Sequence, residues 1–464
     1  MMAMSVMAVA VCVTMIVMVM AMVVMAMMIV IIVVVVGLRG HAGSRSRARR
    51  AIPLGKTVGA VSPAPQRRQP LSIAAAPLPR YAPDMKFDPV LLAQDLIRRP
   101  SVTPADAGAM DVLQRALEQI GFACRRMRFG EIENLYARRG TQGPNLCFAG
   151  HTDVVPVGDA AAWTHGPFEA QVRNGVLYGR GAADMKAAIA AFVAAAAGVD
   201  AGAQQGSLSL LITGDEEGEA EDGTGKVVEA LRAEGEVIDH CVLGEPSSLA
   251  AVGDTLKVGR RGSLNAWITV EGVQGHVAYP AQAANPIPVL IRLLERLQSH
   301  TLDDGYPRFP PSNLEVTTVD VGNPTTNVIP AKASARLNIR FNPHHDGDSL
   351  MGWLQRECDA AGAGFKGTVA LTGKLTGNAF ITEPGPFVEV CSEAVVDVMD
   401  AEPVLSTTGG ISDARFIRTL CPVVELGLVG ATMHMVDECA AVEDIRRLAA
   451  IYGVLIARYF EAFG

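Results

Sequence analysis

The 464-residue chain predicts an α/β protein: a mixed sheet with a second domain inserted into it. Three observations predict this. Strand-like apolar runs alternate with helical stretches between residues 85 and 262, the pattern of strands covered on both faces by crossover helices. Several of these runs end in glycine followed by histidine or an acidic residue, and open α/β sheets gather their sites at strand carboxyl ends. From Leu264 the periodicity changes to β-α-β-β-α-β, the split-βαβ arrangement.

The beginning is a different material. Met1 to Leu38 carries no charged residue and holds 11 of the 19 methionines within its first 28 positions. An arginine-rich and then proline-rich stretch runs from Arg39 to Pro83. Residues 1–84 carry nine Lys/Arg and one Asp, which leaves 31 basic and 47 acidic residues beyond them, a balance of −16. A globular part that acidic argues against nucleic acid as a partner. The apolar run exceeds the roughly 20 residues that span a bilayer, and the arginines after it would keep the following domain cytoplasmic. A cleaved signal peptide fits less well, because a basic n-region is missing and the apolar run is too long. The third origin, an upstream start that the mature protein does not use, is the expectation here. A membrane then enters only if residues 1–38 are real and retained. The eight cysteines include no C-x-x-C pair, so a reducing cytoplasm is the expected compartment.

From Met85 the elements follow in order. Pro89 to Arg99 reads as a short amphipathic helix, Ala105 to Ile120 as a second one stopped by Gly121, and Ala123 to Tyr136 as β-like. Leu146 to Ala149 is a buried strand that breaks at Gly150 and delivers His151 and Asp153, two residues apart and so on one side of an extended backbone. Gly179 and Gly181 let the chain bend before Asp184, and Met185 to Ala197 is an alanine-rich helix closed by Gly198 as C′ residue. Taken alone, Asp184 reads as a helix N-cap. Gly206 to Thr213 is a strand ending in Gly214-Asp-Glu-Glu-Gly218, and His240 to Leu243 is another ending in Gly244-Glu245. On a strand, adjacent glutamates would face opposite ways. In a glycine-flanked loop, Glu216 and Glu217 can serve one site in two roles, although a solvated acidic turn is the plainer reading.

The insert reads as strand (Leu264–Glu271), helix (Asn285–His300), strands (Leu314–Val321 and Lys332–Phe341), helix (Asp348–Ala361) and a last strand (Gly367–Leu371). Gly259-Arg-Arg-Gly262 and the stretch Gly373 to Gly377 are the expected hinges. Val388 to Met399 is a helix, Leu405 to Asp413 a polar glycine-rich turn, and Val423 to Gly427 a strand. A loop then ends at His434, and Val442 to Phe460 is the closing helix. The expected organisation is an extension over 1–84 outside the fold, a catalytic domain in two parts (85–262 and 377–464), and the insert at 263–376.

Gathered at one sheet edge, His151, Asp184, Glu217, Glu245 and His434 would bring three carboxylates and two imidazoles together. Like charges that close do not all stay ionised without compensation. Two divalent cations supply it, and mixed N/O ligands suit zinc, with cobalt or manganese also possible. Glu216 is then left over as a base. Arg260 and Arg340 suit bidentate binding of a carboxylate substrate.

Gly150-His-Thr-Asp-Val-Val-Pro156, Gly179-Arg-Gly-Ala-Ala-Asp-Met-Lys186, Asp215-Glu-Glu-Gly218 and Gly244-Glu-Pro-Ser247 resemble the co-catalytic zinc aminoacylase/carboxypeptidase family from about Met85 onward. Glu216 to Thr224, Gly259 to Ser263, Val273-Gln-Gly-His-Val-Ala-Tyr-Pro280 and Asn327-Val-Ile-Pro330 narrow the resemblance to its branch acting on N-succinyl-LL-2,6-diaminopimelate. The resemblance implies a zinc-peptidase-like catalytic domain with a ferredoxin-like dimerisation and lid domain. The implied partners are a small-molecule substrate and a second copy in a homodimer, and the implied pathway is lysine and diaminopimelate synthesis. Asp184 would bridge two metals and be followed by a cis peptide. His151 and Glu245 would complete one metal site, Glu217 and His434 the other. Glu216 would be the base, Asp153 would orient His151, and His276 would stabilise the oxyanion in the partner's site. Ser263, Tyr279, Asn327, Gly409 and Gly410 join Arg260 and Arg340 as implied substrate contacts. Ile411 departs from the family's Gly-Gly-Thr-Ser. An acetylornithine deacetylase or dipeptidase of this fold, and a non-catalytic metal-binding descendant, are the rival readings; the last predicts loss of a ligand or the base, and none is lost.

Overall fold

Apolar runs too short to be helices pair into the larger of two main sheets in the computed structural model, which describes residues 87–199 and 205–464. The stretch 1–84 lies outside the described residues. Among the described residues this sheet has eight strands, in the order Ala123–Phe129, Ile132–Arg139, Ser207–Thr213, Asn145–His151, His240–Leu243, Val423–Glu425, Thr255–Lys257 and Val404–Ser406. Its centre is parallel: Asn145–His151 pairs with Ser207–Thr213 on one side and His240–Leu243 on the other, and Val423–Glu425 runs parallel to His240–Leu243. The outer hairpin Ala123–Phe129/Ile132–Arg139 is antiparallel.

One face of the sheet is covered by the helices Pro89–Ile97, Ala109–Gln119, Lys186–Gly198, Pro386–Met399 and Val442–Phe463, which form one continuous core with it. Lys186–Gly198 is buried on every side up to Ala196, as a helix apolar all round must be. Its Phe192 stacks on Phe148 of the central strand with ring centroids 4.4 Å apart, and Tyr452 meets Phe148 edge-on at 5.6 Å. The helices Thr224–Ala233 and Ala414–Ile417 cover the other face.

The insert is an antiparallel sheet in the order Asn313–Asp320, Lys332–Phe341, Gly262–Glu271, Thr368–Gly377, with the helices Ile287–Ser299 and Gly347–Gly362. Alternate residues Leu264, Ala266, Ile268 and Val270 lie opposite Ile339, Leu337, Ala335 and Ala333. These residues share one core with Leu290, Leu293, Leu297, Leu350 and Leu354 of the two helices. Each element falls within a residue or two of its expected place, except the last strand. That strand continues through Gly373 to Gly377, opposite Ala266 and Ser263, so the glycines expected as a hinge are ladder residues.

Two further expectations change. The second helix begins at Ala109 because Asp106 turns its carboxylate onto the N–H groups of Gly108 and Met110. Gly198 is the last helical residue, with Val199 extended behind it, and not a C′ glycine. The strand before Asp184, Val176–Tyr178, belongs to a separate three-stranded sheet with Gln171–Arg173 and Cys439–Ala441. Among the described residues no helix is long and apolar enough to cross a membrane.

Candidate metal centre

Parallel pairing sets the geometry. His151 is the last residue of its strand, level with Thr213, and Ala149 is level with Leu243. The chain segments that carry His151/Asp153, Glu216/Glu217 and Glu245 therefore leave three neighbouring strands at one edge. Val423–Glu425 leads out of the same edge towards His434. Asp184 arrives differently, through a turn in which Gly179 and Gly181 adopt φ +155° and +88°, values open to glycine. The bond between Asp184 and Met185 is cis. Met185 is fully buried, and the glycines ahead of His151 and Glu245 make room for it. A Cβ at Gly150 or Gly244 would sit 2.5 Å or 2.7 Å from Met185 Cε.

His151, Asp184 and Glu245 converge, and so do Asp184, Glu217 and His434; in each trio the ligand atoms lie within 4.8 Å of one another. A third grouping joins His151 to Glu216 and Glu217. Asp184 links the first two. Its Oδ1 is 3.0 Å from His151 Nε2, while its Oδ2 is 3.4 Å from His434 Nε2. Glu217 Oε1 is 2.8 Å from His434 Nε2, and Glu245 Oε1 is 3.7 Å from His151 Nε2. The N-cap of the following helix is Met185, with no side-chain cap, so the capping alternative for Asp184 falls. His434 has φ +61°, a left-handed conformation that non-glycine residues hold at a cost of order 1–3 kcal/mol, chiefly at functional sites.

Asp153 does two jobs. Its main-chain carbonyl is 2.9 Å from His151 Nδ1, closer than its own carboxylate oxygen at 3.6 Å. Its carboxylate accepts the N–H groups of Glu216 at 3.2 Å and Glu217 at 3.0 Å. One side chain thus fixes the loop that carries both glutamates.

The electrostatics are those of too many buried acids. Burial, together with Asp413, Glu217 and Asp184, pushes the Glu216 carboxyl well above the usual range. Burial, with Asp184 and Glu216, does the same to Glu245. Burial also raises Asp153, to about 6. For Asp184 burial pushes upward too, but hydrogen bonds with His151 and His434 outweigh it and hold the carboxyl below its ordinary value. Hydrogen bonds with Asp184 and Glu217 raise His434 to about 10. Glu245 Oε1 is buried with no hydrogen-bond partner, an arrangement that costs free energy unless something positive meets it. An orphaned carboxylate oxygen beside an imidazole, and one carboxylate serving two trios, form a donor set that fits two divalent cations.

Asp184, Glu216, Glu217, Glu245 and His434 line a cavity of about 430 Å³, together with Lys257, Arg260, Thr408, Gly409, Gly410, Ile411 and Met433. Arg260 is heavily engaged: Nε donates to Glu425 Oε1 at 2.8 Å, Nη2 to Glu425 Oε2, and Nη1 to the carbonyls of Thr408 and Gly410. Gly409 has φ +110°, and a Cβ there would stand 2.3 Å from Arg260 Nη1. Of the other residues implied for substrate, Ser263 and Arg340 face each other across the insert sheet. His276, Tyr279 and Asn327 are exposed, with His276 Nδ1 accepting the N–H of Ala278 at 3.0 Å. These five residues are absent from the cavity lining.

Sequence reasoning missed Lys257, whose Nζ donates to Thr408 Oγ1 at 3.0 Å. It also missed Glu425 and Glu438, both buried. Glu425 left a signal, an acid inside the apolar run Val423-Val-Glu-Leu426. Glu438, in an ordinary polar loop, left none.

Peptidase family M20/M25/M40 matches residues 147–458. A succinyl-diaminopimelate desuccinylase of Caulobacter vibrioides is 68% identical over 379 residues, 82% of this chain and 98% of that protein. Its counterpart in Maricaulis maris is 58% identical over 377 residues, 81% of this chain and 97% of that protein. Among solved structures, an aminopeptidase from Bacillus cereus superposes with a TM-score of 0.66 at 18% identity, covering 80% of this chain and 98% of its own. A dinuclear metal-binding peptidase of Bacillus subtilis gives 0.62 at 17%, covering 81% and 98%.

Proposed function

The chain belongs to peptidase family M20/M25/M40, and from that premise we propose that it hydrolyses N-succinyl-LL-2,6-diaminopimelate to succinate and LL-2,6-diaminopimelate. It is a metal-dependent hydrolase of the diaminopimelate pathway. The observation that carries the reading is the pair of ligand trios joined through Asp184, in a chain 68% identical to a desuccinylase.

His151, Asp184 and Glu245 would hold one cation, and Asp184, Glu217 and His434 the other, with zinc the expected metal and cobalt an accepted substitute. Two such cations polarise an amide carbonyl and lower the pKa of the attacking water. The remaining work falls to side chains. Glu216, on the loop gripped by Asp153, takes the water's proton and hands it to the leaving amine nitrogen. Its buried carboxyl favours the protonated form that the second half-reaction requires. Lys257 and Arg260 give the far wall of the cavity a positive field for the distal succinyl carboxylate, while Gly409 and Gly410 let the backbone approach it. Ser263, Tyr279, Asn327 and Arg340 stand outside this cavity and would meet the substrate only when the insert closes over it. His276 donates to the oxyanion in the site of the partner subunit of a cytoplasmic homodimer.

The deciding experiment is steady-state turnover of purified, zinc-loaded protein on N-succinyl-LL-2,6-diaminopimelate and on acetylornithine. The expected preference in kcat/KM for the succinyl substrate is at least about 10⁴-fold, the discrimination expected when a buried polar site meets a substrate lacking the matching group. Equal rates, or a preference for acetylornithine, would overturn the assignment.

A further inference from the structure

Glu438 is four residues past His434, in no motif, yet its side chain is completely buried. The hydrogen bonds its carboxylate accepts come from the turn that ends at Asp184. Oε1 accepts the N–H of Ala183 at 2.9 Å and of Asp184 itself at 3.1 Å. Oε2 accepts the N–H of Gly181 at 3.1 Å and Arg180 Nη1 at 2.7 Å. A carboxylate holding three amides of a four-residue turn leaves that turn one geometry, so the direction in which Asp184 leaves the chain is set from behind.

Arg180 extends the grip to the other side of the centre. Its guanidinium, buried with Glu438, donates from Nη1 to the carbonyl of Met435 at 3.3 Å and from Nη2 to that of His434 at 3.5 Å. Nη2 also reaches the carbonyl of Pro156, at 3.3 Å, in the loop after Asp153. The guanidinium lies 5.3 Å from the Trp163 ring centroid. A buried ion pair so joined to three segments has little freedom to rearrange.

We propose that the Arg180–Glu438 pair is a positioning device that sets the Asp184–His434 half of the metal centre. It ties the backbone of the linking carboxylate to the backbone of His434, while His151 and Glu245 are placed independently by the sheet. The pair touches neither substrate nor metal. The inference rests on the two-cation reading above.

The consequence is an asymmetry. Loss of the pair should weaken the cation held by Asp184, Glu217 and His434 and largely spare the one held by His151, Asp184 and Glu245. Residues behind metal ligands typically change affinity by about 10–100-fold when replaced. The test titrates metal-free protein with zinc against a chromophoric chelator, and reads kcat and KM separately. In Glu438→Gln, one of the two binding steps should weaken at least about tenfold with the other within about threefold, kcat falling and KM holding. Because Glu438→Gln leaves Arg180 buried without its counter-charge, folding could suffer. The neutral double variant Arg180→Met/Glu438→Gln removes that charge and should show the same one-sided weakening.

Two unchanged steps, or two steps weakened alike, in whichever variant folds, overturn the positioning role. Parent protein that binds no zinc overturns the two-cation reading itself, a separate result. A melting temperature recorded without metal distinguishes a general loss of fold, which lowers both steps together, from loss of one half-site.

Discussion

The buried pair Arg260–Glu425 makes a quantitative prediction. Glu425 is 2% exposed and Arg260 8%; the carboxylate takes Arg260 through two nitrogens and Ser412 Oγ at 2.6 Å. Glu425→Gln preserves volume and one acceptor oxygen, but sets an amide NH₂ against the Arg260 Nη2 donor. Arg260 stays charged, because a guanidinium keeps its proton even when its counter-charge is removed. Removing one partner of a buried pair costs about 3–5 kcal/mol, and the surviving acceptor puts this change near the lower end, about 3 kcal/mol. Urea unfolding followed by circular dichroism reads this as a lower midpoint with unchanged slope. Replacing both partners, as Arg260→Met/Glu425→Leu, removes the unpaired charge and should return stability to within about 1 kcal/mol of the parent. Substrate affinity should stay low in the double variant, since the Thr408 and Gly410 carbonyls have lost their anchor. If Glu425→Gln costs less than about 1 kcal/mol, or the double variant is the less stable of the two, the unpaired charge is not what stability turns on.

Three further outcomes are expected. Glu216→Gln should abolish turnover with two metals still bound, whereas Glu217→Gln should weaken one metal step; equal metal loss in both with rates intact would refute this division of labour. In metal-free protein His434 is raised to about 10 and so carries a proton at pH 7, while a metal ligand must be neutral. Binding therefore releases that proton, and affinity should rise about tenfold per pH unit from 7 towards 10; indicator dye showing no release at pH 7 would contradict it. Mixing inactive His276→Ala with inactive Glu216→Gln should recover activity through one whole site per mixed dimer, and a mixture as inactive as its parents, with subunit exchange verified, would place His276 in its own subunit's site.

The legible parts of the molecule are those whose cause is local. The insert could be read almost to the residue because Leu264, Ala266, Ile268 and Val270 alternate against a core of their own. Its last strand was cut short because Thr372 and Lys374 lie exposed and interrupt the apolar pattern. His151 and Glu245 stood out because each follows a glycine at a strand end, a signal whose physical origin is the space Met185 occupies. The small sheet that carries Val176–Tyr178 was not, because three-residue strands leave no periodicity to detect. Lys257, Glu425 and Glu438 were hidden for a related reason. A charge paired across 150 or more residues looks, in sequence, like any other charge.

The placing of Val423–Glu425 between His240–Leu243 and Thr255–Lys257 bears on how the protein is made. Chains emerge from the ribosome amino end first and fold as they come. Until residue 423 has emerged, His240–Leu243 has a neighbour on one side only, and the two strands flanking the gap are separated from their missing partner by the whole insert. The insert, with its own core, is able to fold during that wait; the larger sheet is not. Apolar strand edges stay open to strangers for the time it takes to add about 160 residues. His434, the last of the candidate ligands, emerges only after the strand that closes the gap, so the order of synthesis postpones the complete candidate centre until the sheet beneath it can close.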